Sequence, residues 1–361
     1  MRLGDLLRFS LRAMTDRKLR TALTITGIVI GPAAIVALLA STQGFSNAVS
    51  EQFAKTGTTS IFVLPSERGV SLTSTDVVVM EKMSNVTAAV PFWLLTGTIA
   101  QGTQTTSVQV VAGDFTKLTY VMPGLSLQAG SYPSSYDLSG SVIGYSVAYP
   151  NRAGASNVSL NQVVTVSFSS FEGFGATGSS GEKSFIVRGI FNQFGQGFLI
   201  DPDVGIFVPL EGGQSLLHTN KYSGIVVVAS DVNTVNQVVG ELTDQYGQKV
   251  RITAITSILS SIQSVLGGFS TILAAIGGIS VIVAFVGIMT TMFTTVIERT
   301  KEIGILKALG YGSRDIMSIF LAESLTTGFI GGVIGAAVGS GLSHVVGLLF
   351  AFAFRGTGGG A

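Results

Sequence analysis

Cysteine is absent from all 361 residues, and histidine occurs only twice. The first absence excludes disulfide staples and thiolate metal sites, and two distant histidines, His218 and His344, form no metal-ligand spacing. Charge is scarce as well: 11% of residues are Asp, Glu, Lys or Arg against 47% apolar, with a mean hydropathy of +0.56. Soluble domains carry about 25% charged residues, so this composition excludes that class and points to a membrane protein.

What is present is apolar length, unevenly placed. A bilayer core about 30 Å thick takes roughly 20 apolar residues as helix, and three segments qualify. The first covers residues 21–40, uncharged, with Pro32 expected to kink rather than break it. The second covers 262–297, longer than lipid requires, so its start is expected to rise as a stalk. The third begins near Met317 and stays largely apolar to Phe354. The expected organisation is a basic leader (1–20), a first span (21–44), an α+β domain (45–255), a stalk and second span (256–297), a charged helix (298–316), a third span (317–345) and an apolar, Gly-rich tail (346–361). The expected fold class is an α-helical membrane protein with three transmembrane helices and a large extracytoplasmic α+β domain inserted between the first two.

Lys and Arg set the orientation. Arg2, Arg8, Arg12, Arg17, Lys18 and Arg20 precede the first span, and Arg299, Lys301, Lys307 and Arg314 lie between the second and third. The positive-inside rule makes both segments, and the N-terminus, cytoplasmic in a multi-pass protein of the cell membrane. The long leader and 20-residue apolar run read as a signal anchor rather than a cleaved signal peptide. The domain between the first two spans then faces outward. It carries ten Lys or Arg against fourteen Asp or Glu, a balance that gives no reason to expect nucleic acid as a partner.

Phe45, Val49 and Phe53 continue the first helix into that domain on one face. Strands are expected at 61–65, 97–100, 107–112, 162–168, 183–191, 205–208, 224–228 and 250–253. A helix over 231–246 carries Val232, Val235, Val239, Leu242 and Tyr246 as its stripe, Asp231 as its cap and Gly247 at its end, giving a β-α-β unit. A second helix is expected over 76–83, capped by Ser74 or Thr75. The Gly- and Ser-rich residues 169–181 read as a hairpin loop. Asn85-Val-Thr and Asn157-Val-Ser fit the glycosylation triplet, which matters only where the machinery exists.

Catalytic chemistry is hard to find. GATGSSGEKS at 175–184 evokes a phosphate loop, but Glu182 separates Gly181 from Lys183, so the chain is not expected to bind ATP or another cofactor itself. Asp201 and Asp203 flank Pro202 and are expected to shape a turn. Phe191, Phe194 and Phe198 are expected in a core strand and a glycine-punctuated turn rather than on a ligand surface. No nucleophile, base and orienter come together, and no enzyme is expected.

Two features of the membrane part are more informative. Glu323 lies inside the third apolar pattern, where a carboxylate either snorkels to the interface or meets a partner in the bundle or charged segment. Gly331, Gly335 and Gly339 form one small-residue ridge, and Gly27 with Gly31 another, both suited to close helix packing. Between the second and third spans, Glu298, Arg299, Lys301, Glu302 and Lys307 supply mixed charge while Ile303, Leu306 and Leu309 or Gly310 recur at threes. That is the pattern of a short amphipathic helix at a membrane surface, ended by Gly310-Tyr-Gly312, with Ser313 able to cap the next.

The run ERTKEIGILKALGYGSRDIMSIFLAES, followed by a glycine-rich span, resembles the signature of the MacB/FtsX-like permeases of ABC transporters. GFSNAVSEQFAKTGTTSIFVLP, LTSTDVVVMEK, VIGYSVA and KSFIVRGIF appear in the family's order, so the similarity extends over nearly the whole chain. The resemblance implies a homo- or heterodimeric permease that binds two cytosolic ABC ATPase subunits through a coupling helix matching residues 298–312. It also implies that ATP-driven motion passes to a periplasmic core domain, for export, lipid or lipoprotein extraction, or activation of an external partner protein. Family members carry four spans; residues 317–354 would make two of at most about 19 residues each, marginal for a bilayer, so three are expected. The alternative is a membrane-anchored ligand-binding or adhesion receptor without an ATPase.

Overall fold

The computed structural model describes residues 18–66, 70–150, 154–169, 180–195, 197–217 and 219–357. The leader up to Arg17, most of the Gly- and Ser-rich loop and His218 lie outside the described residues. Along the chain the elements are α1 (Lys18–Thr56), β1 (Ser60–Pro65), α2 (Ser74–Glu81), β2 (Val86–Gln101), β3 (Gln104–Gly113), α3 (Leu118–Val121), β4 (Leu127–Gly130), β5 (Gly140–Ile143) and α4 (Tyr145–Ala148). They continue with β6 (Val163–Ser169), β7 (Ser180–Phe191), β8 (Gly205–Pro209), α5 (Leu210–Leu217), β9 (Gly224–Ala229), α6 (Val235–Tyr246), β10 (Val250–Ala254), α7 (Ile255–Glu298), α8 (Thr300–Ala308) and α9 (Ser313–Thr357). Two units result: a helical one that includes Gln263–Gly356 and the chain before Ala48, and a β-rich one that includes Ala48–Ile262.

In the helical unit the three apolar runs form helices because a backbone in lipid must satisfy its own hydrogen bonds. Stretches Ala22–Thr56, Ile255–Glu298 and Ser313–Leu348 are long and apolar enough to cross a membrane. Pro32 sits inside α1 without ending it. Helix α9 runs unbroken through Gly339 and Gly341, so residues 317–354 form one helix rather than a tight hairpin.

In the β-rich unit β2 pairs with β3, β3 with β8, β8 with β5, β5 with β7, β7 with β6, and β6 returns to β2. These six strands close on themselves like a barrel, which removes free edges. From β2 a wing of β9, β1 and β10 extends, each neighbour antiparallel. Strand β1 therefore lies between the parallel strands β9 and β10 that flank α6, a crossover built on the expected β-α-β unit. Strand β2 begins at Val86, well before the expected 97–100, because Ala88, Ala89, Val90, Phe92 and Trp93 are all buried and show no alternation to read.

Two helix starts differ from expectation. Helix α2 is capped by Thr73, whose N–H and hydroxyl both donate to the Asp76 carboxylate at 2.8 and 2.9 Å, rather than by Ser74 or Thr75. Asp231 does cap its segment, but a 3-10 turn at Val232–Thr234 precedes α6 and shifts its phase. Val235, Val238 and Leu242 are consequently the buried stripe, and Val232 is exposed.

Candidate coupling site on the helical unit

The site is built from α7, α8 and α9, so its chemistry begins with how those helices pack. Along α9 the buried positions are Ile316, Glu323, Thr327, Gly331, Gly335 and Gly339, mostly four apart, one i±4n ridge. A Cβ on Gly331 would meet Ile28 Cγ2 at 2.6 Å, one on Gly335 the Val29 carbonyl oxygen at 2.9 Å, and one on Gly339 the Ala33 carbonyl oxygen at 2.6 Å. Backbone meets backbone at Gly335 and Gly339, Gly331 makes room for the Ile28 side chain, and the rising numbers on both sides mean that α9 and α1 run parallel. Gly31 faces Ser280 and Gly277 faces Ile35, so α7 runs antiparallel to α1. Gly27 is exposed, and a Cβ there would meet nothing within 4 Å, so it stands apart from the packing that the other four glycines make.

Helix α7 bends rather than ends at Glu298. Arg299 occupies the joint, its N–H still bonded to the Thr295 carbonyl and its own carbonyl accepting from Ile303 N–H, both at 3.0 Å. Its φ of −94° and ψ of 18° turn the chain into α8. The helix closes with two nested bonds of 3.1 Å, Gly310 N–H to the Lys307 carbonyl and Tyr311 N–H to the Leu306 carbonyl. This ending needs Gly310 at φ +92°, a left-handed conformation open to glycine. Ser313 is the first residue of α9 rather than its cap; the Asp315 carboxylate reaches back to Gly312 N–H at 3.3 Å instead.

The two faces of α8 differ. Arg299, Ile303 and Leu306 are half-buried, while Glu298, Lys301, Glu302, Ile305, Lys307, Leu309 and Gly310 are exposed. Ile305 is 61% and Leu309 72% exposed. Lys301 and Glu302, one turn before Ile305, flank this apolar pair on the same side of the helix. The periodicity at threes, Ile303, Leu306 and Leu309 or Gly310, spans both faces, since Ile303 and Leu306 are half-buried and Leu309 is exposed, and it does not include Ile305; spacing at fours, 301, 305 and 309, isolates the outward row. Arg299 turns inward. Its Nη1 lies 3.6 Å from Glu323 Oε2 and its Nε 4.0 Å from Glu302 Oε2. The expected intramembrane carboxylate thus has a partner in the charged segment rather than snorkelling away.

Charged groups in the β-rich unit serve local structure. Asp203, buried, accepts from the N–H groups of Phe194 and Gly195 at 2.8 and 2.9 Å, and Asp201 accepts from Asp203 N–H at 3.0 Å. Burial pushes the Asp201 carboxyl up to about 6, and the Asp203 charge adds to this against the hydrogen bonds that lower it. Burial also raises Asp203. Gln52 Nε2 donates to the Phe194 carbonyl at 3.3 Å, tying the last turns of α1 to the same loop. Phe191 and Phe194 are core residues; Phe198 is 43% exposed and lies 5.7 Å from the Phe62 ring. An apolar cavity of about 30 Å³ lies among Phe92, Val111, Phe115, Val121 and Phe207, space for about one water. Among the described residues no group of His, Asp and Glu could hold a metal ion.

Membrane-length helices, a barrel-like β-rich unit and a short charged helix between two of the long helices are the parts of a membrane protein with a large non-membrane domain. The chain belongs to the MacB/FtsX type of ABC transporter permeases: a MacB-like periplasmic core domain matches residues 21–245 and an FtsX-like permease C-terminal region matches residues 274–357. It is 27% identical over 359 residues to an uncharacterized ABC transporter permease of Methanocaldococcus jannaschii, covering 96% of this chain and 85% of that one. It is also 27% identical to a macrolide export ATP-binding/permease protein MacB of Hyphomonas neptunium, covering 95% of this chain and 54% of that protein. The chain therefore spans about half the length of such MacB relatives. The solved periplasmic region of MacB from Actinobacillus actinomycetemcomitans aligns with 60% of this chain and 98% of its own at 16% identity and a TM-score of 0.42.

Proposed function

We propose that this chain is the permease subunit of an ABC transporter that transmits the ATP-driven motion of a cytosolic ATPase to its β-rich unit on the far side of the membrane. The observation that carries the reading is the outward face of α8. Ile305 and Leu309 stand exposed with Lys301 and Glu302 beside them, on a helix with defined start and end. An exposed apolar pair flanked by charge is what a protein partner covers. The alternating directions of α1, α7 and α9 support a topology in which the N-terminus and α8 share the cytoplasmic face, as the Lys and Arg distribution requires.

In this reading ATP is hydrolysed on a separate ATPase chain, the permease works as a homo- or heterodimer in the cell membrane, and α7 and α1 carry displacement outward. A substrate or exported partner protein engages the β-rich unit. The test is purification of the full chain from its native membrane in mild detergent, with mass spectrometry of what accompanies it. A stoichiometric P-loop ATPase supports the reading, and recovery of an intact chain with none, in repeated preparations, overturns it.

A further inference from the structure

We propose that Arg299 is a positioning residue rather than an ATPase contact: with Glu323 it fixes the pitch of α8 on α9, so that a push on α8 moves α9 instead of being absorbed at the bend. The inference rests, for the source of the push, on the reading of α8 as the ATPase-docking helix. Its structural part stands without that reading.

The side chains of Arg299 and Glu323 are 13% and 11% exposed. A carboxylate this far from water is costly unless a counter-charge accompanies it, and the guanidinium at 3.6 Å supplies one. The second carboxylate near Arg299, that of Glu302, is 70% exposed at 4.0 Å and is screened by solvent. Among the described residues of the helical unit, the buried polar or charged residues are Thr295, Glu323 and Thr327. Thr295 lies one turn before Arg299 and Thr327 one turn after Glu323, so the polar positions gather where α7, α8 and α9 meet. Farther along α9 the ridge is glycine packed on α1. Buried ion pairs add little net stability, but they specify one arrangement over its neighbours, because shifting either helix by a turn leaves a charge unpaired.

The location of Arg299 makes that specification mechanical. It is the residue at which α7 passes into α8, where the φ and ψ leave the helical range. A bend with no lateral tie is a hinge, and a tie from the hinge residue itself to the next helix makes it a corner. Ile303 and Leu306 continue the inward row, while the outward row of Lys301, Ile305 and Leu309 stays free.

The absence of cysteine allows a direct test in the full-length protein. Gly304 on α8 and Gly328 on α9 are positions where a new Cβ meets nothing within 4 Å. Gly304→Cys and Gly328→Cys can therefore carry spin labels. In the parent the label-to-label distance should be a single narrow population; Glu323→Gln should add a second population, and the exchange Arg299→Glu with Glu323→Arg should restore the first. In membranes with the co-purifying ATPase, Glu323→Gln should keep the ATPase bound while permease-stimulated hydrolysis falls about tenfold, the scale of a coupling between sites. Should Glu323→Gln fail to reach the membrane, Arg299→Gln, which removes the charge from the other partner of the pair, takes its place with the same expectation. A label distance unchanged in a folded variant, or a loss of ATPase association equal to the loss of hydrolysis, overturns the proposal. Absence of any ATPase from the parent, with the label result intact, sinks the functional reading and leaves the positioning role standing.

Discussion

Gly335 of α9 lies so close to Pro32 of α1 that a Cβ there would stand 3.0 Å from the proline Cβ and 2.9 Å from the Val29 carbonyl oxygen. Pro32 removes an N–H from α1 and presents a flat ring, and only a glycine surface lets the two backbones approach this far. Gly335→Leu should force the helices apart and destabilise the helical unit by about 1–3 kcal/mol, the usual cost of overpacking. Gly27→Leu, on an open surface of α1, should leave the unit unchanged. Thermal unfolding in detergent, followed by loss of the monodisperse peak, compares the two; equal effects would refute the parallel register of α1 and α9.

How much of this was legible beforehand depended on which signal each feature left. Length and apolarity announced the three long helices, because a bilayer-length run needs no context. The glycine ridge on α9 was equally readable, since small residues four apart have one common use in lipid, whereas Gly27 carried the same pattern without a neighbour to pack on. The inward turn of Arg299 was hidden: five charged residues lie in a short segment, and periodicity alone does not say which of them meets Glu323 more than twenty residues away. In the β-rich unit the strands with turn signals were found, while β4 and β5, four residues each, were too short to show alternation. The closure of the barrel through β6 is a long-range pairing that no local pattern encodes.

Because Ile305 and Leu309 point away from their own chain, charging them should cost the fold little and the partner much. Ile305→Glu or Leu309→Glu is expected to weaken ATPase association by more than about tenfold, the effect of a central interface residue, with normal membrane insertion. Leu306→Glu, half-buried on the opposite face, should instead lower the yield of folded protein. Quantitative pull-down against expression level separates these, and the assignment of faces fails if Leu306→Glu behaves as Ile305→Glu does.

Trp93 offers a reporter for the β-rich unit. It is the one tryptophan of the chain, 2% exposed, with its Nε1 donating to the Lys221 carbonyl at 2.7 Å. Asp203→Asn should lower the midpoint of the Trp93 emission transition, because an amide offers one acceptor oxygen where the carboxylate received two N–H groups. The cost is about 1–3 kcal/mol for the donor left without a partner. Gln52→Ala, which loses a bond on the α1 side of the same loop, should have a smaller effect. An unaltered midpoint in Asp203→Asn would remove the carboxylate from any structural role.

Asp201 predicts a pH dependence with a definite sign. Burial, reinforced by the Asp203 charge, holds its carboxyl up at about 6 in the folded chain, and an unfolded aspartate titrates at about 3.9. Between those values the folded state keeps a proton that the unfolded state has released, so this group's contribution to stability falls as pH rises from about 4 to about 6 and is flat above. Asp203 is shifted in the same direction and adds to the trend. Asp137 acts oppositely: burial alone would raise it, but the N–H groups of Ser139 and Gly140, the Ser139 hydroxyl and Arg188 outweigh that and hold it low. Its contribution is therefore complete at neutral pH and is lost only on acidification below about 4. Asp201→Asn, uncharged at every pH, should gain on the parent as pH rises, with the difference in Trp93 midpoint opening between pH 4 and 6 and constant from there to pH 8. A difference that stays the same across the whole range would mean that Asp201 titrates in the folded chain as it does in water, and that its burial costs the charge nothing.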